Sequence, residues 1–325
     1  MNNFDYLRPK NLKEASSFLG KAPQEAMLFA GGTDVLGLMK NTVISPKTLV
    51  NLKSIPGMKT LEYRPGKGLR IGALVTIAEI AEHPIIAKKY PILLQAANEV
   101  ASPQLRNVGT LGGNLCQRPR CWYFRGEFHC LRKGGDICYA VDGQNKYHCI
   151  IGGGPCFIVH PSDMAVALLA LDAQLSVFSG KKLRKVPLNE FFVLPERDYL
   201  RENSLRPGEI ITEIHVPDLP TNVRSGFIKF KEREAWDFAI VSVGAVIQKA
   251  GSTIQSGRVA FGGVAPIPWQ EDAINRNLTG LFISPKSFSD VLQKSFKNAE
   301  PLGMNAYKVP LARNLLKRIL IDLTA

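Results

Sequence analysis

The chain has no apolar run near the ~20 residues that span a bilayer, so no membrane-crossing helix is expected. Its first residues, Met1-Asn2-Asn3-Phe4-Asp5-Tyr6, lead into no apolar stretch. The expectation is therefore no secretory signal and a cytoplasmic location, with export alongside a partner left open. It has no Cys-x-x-Cys pair, the usual knuckle of a structural zinc site. It has no low-complexity segment and no internal repeat, which argues against linkers and solenoids. Acidic residues are in deficit, 28 against 41 basic ones, for a net charge of +13. No nucleic-acid recognition motif accompanies that charge and the basic residues are spread out, so an acidic protein partner or an anionic cofactor explains it as well.

Cysteine is missing from almost the entire chain. All six, Cys116, Cys121, Cys130, Cys138, Cys149 and Cys156, lie in one window. Three chemistries compete there. Disulfides are possible with an even count, but a chain of this length can build its core without staples. Zinc lacks its paired knuckles. An iron–sulfur cluster needs four thiolates on loops, at spacings that can be long and irregular. Cys121, Cys130, Cys138 and Cys156 fit that pattern, with Gly134-Gly135 and Gly152-Gly153-Gly154 supplying turns. Arg118, Arg120, Arg125, Arg132 and Lys133 crowd the first half of the window against Glu127, and cations there would favour a reduced, anionic cluster. A solvated basic loop is the bland alternative. His129 and His148 adjoin Cys130 and Cys149 and leave a mixed ligand set open.

The rest reads as three units. Asn11 caps a short helix to Leu19, Ala26 to Ala30 suits a buried strand, Val35 to Lys40 a helix, and Thr48 to Leu52 a strand. These make a small α/β unit over residues 1–55. A second unit, 56–182, has a strand at Leu69 to Ala73, a helix capped by Thr76, and a helix opened by Pro91. After the cysteines come a helix from Ser162 to Leu171 and a strand at Gln174 to Phe178 with a hairpin turn at Gly180-Lys181. A third unit, 187–325, carries antiparallel strands at Glu209 to Val216, Gly226 to Lys231, Ile240 to Gln248 and Arg258 to Val264. A helix over Leu311 to Leu323 closes it.

Two glycine turns stand before helices. Gly31-Gly32-Thr33 can offer consecutive backbone N–H groups to a pyrophosphate, although it is not the G-x-G-x-x-G of a Rossmann unit. Alone it reads as a simple turn. Gly109-Thr110-Leu111-Gly112-Gly113-Asn114 makes a paired arrangement credible, and Gly262-Gly263 reads as a bulge or turn.

These segments together resemble the FAD-binding medium subunits of the molybdenum hydroxylases, the xanthine dehydrogenase and carbon monoxide dehydrogenase group. The matching stretches are Phe29 to Leu36, Leu69 to Ala73, Ala101 to Leu115, His160 to Leu168 and Asp237 to Val243, in the family's order across nearly the whole chain. The resemblance implies an α+β fold: a two-subdomain FAD-binding, PCMH-type (vanillyl-alcohol-oxidase-like) portion, then a CO-dehydrogenase-flavoprotein C-terminal domain. It implies FAD held by Phe29, Ala30, Gly31, Gly32, Thr33, Asp34, Val35 and Leu36 and by Gly109, Thr110, Leu111, Gly112, Gly113 and Asn114. Asp163 would hydrogen-bond the cofactor and Lys229 would stand near the flavin, against plainer readings as a helix-start acid and a solvated strand lysine.

The insertion at about 116–156 is similar to a subgroup with an added 4Fe-4S cluster, represented by the β subunit of 4-hydroxybenzoyl-CoA reductase and the FAD subunit of aldehyde oxidoreductases. It implies Cys121, Cys130, Cys138 and Cys156 as ligands, with Cys116 and Cys149 as free thiols. The implied partners are a large molybdopterin subunit, a small subunit with two 2Fe-2S clusters, and an external carrier such as ferredoxin, whose acidity the basic window would suit. No catalytic residue is expected of this chain. The alternatives are a self-contained flavoprotein oxidase, for which no substrate-base histidine or flavin-linking residue stands out, and a zinc-stapled nucleic-acid-binding protein.

Overall fold

The computed structural model describes residues 1–21, 25–234 and 236–325. Its first unit is a parallel sheet of three short strands, β1 (Asp5–Leu7), β2 (Ala26–Phe29) and β3 (Thr48–Asn51), in the order β1-β3-β2. Helices α1 (Leu12–Lys21) and α2 (Val35–Lys40) make the crossovers that parallel strands require.

The second unit is a five-stranded sheet, β4 (Leu61–Arg64), β5 (Gly68–Gly72), β6 (Gln174–Phe178), β7 (Leu183–Pro187) and β8 (Ile210–Val216), in the order β4-β5-β8-β6-β7. Between β5 and β6 run α3 (Ile77–Glu82), α4 (Pro84–Lys89), α5 (Pro91–Glu99), α6 (Pro103–Arg106), α7 (Leu111–Leu115), α8 (Trp122–Arg125) and α9 (Asp163–Ala170). Thr76 starts α3 with a full capping box to Glu79. Ser162 caps α9 by accepting the Ala165 N–H at 2.9 Å. Every residue of α9 is buried, the pattern of a helix surrounded by protein on all sides.

The third unit is antiparallel: β9 (Val223–Phe230), β10 (Val241–Ala250), β11 (Thr253–Gly262) and β12 (Leu281–Phe282), ordered β12-β11-β10-β9. α10 (Asp272–Leu278), α11 (Pro285–Lys294) and α12 (Lys308–Thr324) belong to it. Leu315, Leu316, Ile319 and Leu320 of α12 join Val243, Ala245 and Ile247 of β10 in one core. Among the described residues no helix is long and apolar enough to cross a membrane.

One grouping differs from the sequence reading. The strand expected at Glu209 to Val216 forms, but as β8 it pairs with β5 and β6 and lies in the middle of the second sheet. Its alternation says which face is buried and nothing about which neighbour it pairs with. Two edge-forming elements of that sheet, β4 and β7, also follow from pairing more than from pattern: β4 reads Leu-Glu-Tyr-Arg and none of its residues is fully buried.

The cysteine segment has a small core of its own. Phe124 and Cys130 pack on Leu38 of α2, with Val43, Ile44, Cys121 and Tyr139 around them. Burying Phe124 alone contributes about 2–3 kcal/mol, so the insertion is fastened to the helix that follows the first glycine turn.

Candidate functional site

A cleft of about 1000 Å³ lies where the three units meet. Ala30, Gly31, Gly32, Thr33, Asp34 and Val35 line it from the first unit. Gly109, Thr110, Gly112, Gly113, Asn114 and Asp163 line it from the second, and Lys229 from the third. Three expected residues do not. Phe29 packs edge-on against Tyr6, Leu36 packs beside Gly32, and Leu111 is fully buried in the main core.

The two glycine turns have different jobs. A Cβ on Gly31 would sit 2.1 Å from the Val108 carbonyl oxygen, so this glycine is needed for the second turn's backbone to approach. Gly32 holds φ at +74°, which a side chain resists. Among the described residues the N–H groups of Gly31, Gly32 and Thr33 have no acceptor, a set of donors open to an anion. In the second turn most donors are occupied: Gly109 to Leu105 O, Leu111 to Val75 O, Gly112 to Ala73 O, Gly113 to the Thr110 hydroxyl, with the Thr110 N–H alone without an acceptor among the described residues. That turn is a rigid wall. Its Asn114 side chain is fixed by the Ser162 hydroxyl, which donates to Oδ1 at 2.5 Å.

Asp163 and Lys229 form a buried ion pair at 2.7 Å, and the Lys229 ammonium also donates to Glu99 O at 2.8 Å. Burial pushes the Asp163 carboxyl above its ordinary value, against the pull of Lys229. The lysine is thus no solvated strand residue; its side chain is 1% exposed.

The second site is the cysteine segment. Cys121, Cys130, Cys138 and Cys156 converge on one small apolar cavity, with Phe124, Arg132, Tyr139, His148 and Ile158 in its wall. Cys138 is pulled down, chiefly by a hydrogen bond from Cys156, while Cys156 is raised by that same bond and by burial, against the nearby charge of Arg132. Burial pushes Cys121 up to about 11, and its Sγ lies 3.3 Å from His148 Nε2. The other two cysteines stand apart. Cys116 lines the large cleft and Cys149 lines neither cavity; burial pushes both thiols up to about 12. His129 is exposed and outside the cavity wall. Among the described residues no three His, Cys, Asp or Glu side chains are set to hold one metal ion.

Four arginines of the window point inward, and this corrects the outward basic face read from sequence. Asp34 takes the Arg118 N–H at 2.8 Å and the guanidiniums of Arg120 and Arg125 at 3.0 and 2.7 Å. Glu202 takes Arg118 Nε at 3.0 Å and the guanidinium of Arg132. The outer surface carries Trp122, Phe128, Ile137 and Val141, with the acids Glu127, Asp136 and Asp142 exposed among them. Charge is neutralised inside because guanidiniums can reach carboxylates that lie far away in sequence.

Glu202 and Lys308 went unread in the sequence. Lys308 is fully buried on α12 and donates to Tyr147 O, His148 O and Gly263 O at 2.8, 3.0 and 2.7 Å. With Asn305, which donates to His148 O and Cys149 O, it clamps the cysteine segment to the third unit. A lysine at the first position of a helix carries no local signal of that task.

Residues 2–219 match the family described as the FAD binding domain in molybdopterin dehydrogenase, and residues 227–323 the CO dehydrogenase flavoprotein C-terminal domain. The aldehyde oxidoreductase FAD-binding subunit of Escherichia coli is 35% identical over 329 residues, covering 100% of this chain and 99% of its own. The carbon monoxide dehydrogenase medium chain of Hydrogenophaga pseudoflava is 26% identical, covering 98% and 96%. The fold matches a carbon monoxide dehydrogenase structure from that organism with a TM-score of 0.79 at 23% identity, over 99% of this chain and 97% of that one. Quinoline 2-oxidoreductase of Pseudomonas putida gives 0.76, at 23% identity and 99% and 96% coverage.

Proposed function

The chain belongs to the molybdenum hydroxylase family as an FAD-binding medium subunit, an oxidoreductase component, and from that premise we propose that it relays electrons through FAD and a 4Fe-4S cluster. The observation that carries the cluster is the sorting of six cysteines. Four, from separate turns, meet around one cavity, and the two left over lie outside its wall.

Each turn then has its own task. The free N–H groups of Gly31, Gly32 and Thr33 receive the pyrophosphate of FAD. The wall of Gly109, Thr110, Gly112, Gly113 and Asn114 would face the bound cofactor, with Asn114 held by Ser162. Asp163 and Lys229 supply one acceptor and one donor at the cleft floor, pre-oriented by their own pairing. Cys121, Cys130, Cys138 and Cys156 would hold the cluster, and Tyr139, Phe124 and Ile158 would keep water from it. Bound in these places, FAD exchanges electrons singly or in pairs and the cluster exchanges them one at a time. Cys116, Gln117, Arg118 and Arg120 line the cleft and Cys121 lines the cluster cavity, so a short run of backbone joins the two.

The relatives are named as subunits and chains of larger enzymes. We extend that to this chain: a large molybdopterin subunit holds the substrate pocket, whether for an aldehyde, a purine or an aromatic acyl-CoA. A small subunit with two 2Fe-2S clusters meets the flavin, and a carrier such as ferredoxin completes the exchange. The first unit is 1–55, the second is 56–182 together with β8 (Ile210–Val216), and the third is the remainder of 187–325. Anaerobic purification tests the reading. Flavin absorption with about four irons and four sulfides per chain supports it; flavin with neither sinks the cluster and leaves a simple flavoprotein.

A further inference from the structure

Among the described residues Arg132 is the one cation in the wall of the cysteine cavity. Its side chain is 1% exposed, and Nη2 is paired with Glu202. Nε and Nη1, equally buried, have no partner among the described residues. Leaving guanidinium nitrogens buried without acceptors is costly, and proteins seldom tolerate it without a reason. The ordinary reason would be an ion pair that uses the whole guanidinium. Here Glu202 cannot serve so, because it is shared with Arg118 Nε at 3.0 Å. Glu202 and Arg118 both line the large cleft, so this one carboxylate stands between the two cavities.

We propose that Arg132 is a positioning residue that sets the reduction potential of the centre held by the four cysteines, and that Glu202 sets how much of its charge is felt there. The inference rests on the cluster reading above. Four thiolates make any iron–sulfur centre anionic, and each added electron makes it more so. A buried guanidinium with two unpartnered nitrogens stabilises the reduced form through charge and through hydrogen bonds to sulfur, in surroundings where both act strongly. Glu202, paired to the far nitrogen, offsets part of that charge. Removing Arg132 should make the centre harder to reduce. Neutralising Glu202 should make it easier. A purely structural role for the pair predicts no such opposition of sign.

The test uses the assembled complex, purified without oxygen and titrated with dithionite under electron paramagnetic resonance. The signal that disappears in Cys138→Ser identifies the centre. Arg132→Gln is expected to move its midpoint to more negative potential, Arg132→Lys to move it less, and Glu202→Gln to move it to more positive potential. Iron content is measured alongside. Arg132→Gln with full iron and an unmoved midpoint overturns the proposal, and so do shifts of the same sign in the Gln variants of Arg132 and Glu202. If Arg132→Gln does not assemble, Glu202→Gln decides, and no positive shift there overturns it. A wild-type complex with no signal sensitive to Cys138→Ser overturns both this inference and the cluster itself, whereas an intact signal with unmoved midpoints overturns this inference alone.

Discussion

Asp34 Oδ2 accepts the Arg118 backbone N–H at 2.8 Å, which ties the first glycine turn to the start of the cysteine segment across 84 positions of sequence. The same carboxylate holds the guanidiniums of Arg120 and Arg125. One acid therefore joins the wall of the large cleft to the cysteine segment.

Replacing Asp34 with Ala leaves two partly buried guanidiniums and one N–H without their acceptor. The expected loss is about 2–3 kcal/mol, below the ~3–5 kcal/mol of a wholly buried pair because the site is not fully closed. Asn should lose less, since it still accepts from Arg118. Urea denaturation of the three proteins measures this, and an Ala variant as stable as the parent refutes the tie.

Lys308→Met should cost about 2–4 kcal/mol, because Tyr147 O and Gly263 O lose their donor and His148 O keeps only that of Asn305. Iron content should fall with it, since Tyr147 and His148 are what the lysine holds. Thermal unfolding and iron analysis report the two effects separately.

Ser replacement of Cys121, Cys130, Cys138 or Cys156 should each lower bound iron sharply, while Cys116→Ser and Cys149→Ser should keep it. Iron and acid-labile sulfide assays decide. Loss of iron from Cys149→Ser alone among the six would reassign the ligands.

The pH dependence of stability has a named contributor in Glu209. Burial raises its carboxyl, but the paired guanidinium of Arg184, at 2.8 and 2.7 Å, and the Arg206 N–H outweigh burial and hold it below the ordinary range. A carboxyl lowered on folding contributes stability above its unfolded pKa, near 4.3, and that contribution fades as pH falls through the folded value. Glu209→Gln should therefore be less stable than the parent by about 1 kcal/mol at pH 7. The gap should close below about pH 4. Urea midpoints across that range check it; a constant gap argues for lost packing instead.

Electron transfer to an external carrier should depend weakly on salt if the carrier meets the surface over the cysteines, because the arginines there are turned in and Phe128, Ile137 and Val141 are turned out. Stopped-flow rates between low and physiological ionic strength test this. A steep fall with salt would place the contact on another, basic face.

The elements were largely legible from local pattern. The helix after Asp34 runs Val35–Lys40 as the sequence suggests, and Thr76 and Ser162 cap where their positions predict. The cleft residues were legible as motifs, because glycine turns are local devices. What escaped was partnership across distance. Nothing near Glu202 says that it will meet Arg118 and Arg132, 84 and 70 residues earlier, and nothing near Arg125 says that it faces in. Charge counted along a window gives its sum, while burial decides its direction. Gly31 shows the same limit from the other side. Its need for a bare backbone was visible, yet the group that presses on it is a protein carbonyl.

That contact between Gly31 and Val108 has a bearing on engineering. Neither loop can be grafted, lengthened or swapped for a relative's version by itself, since each supplies the space or the surface that the other is moulded to. Designers seeking a different flavin environment would have to transplant the two as a matched set.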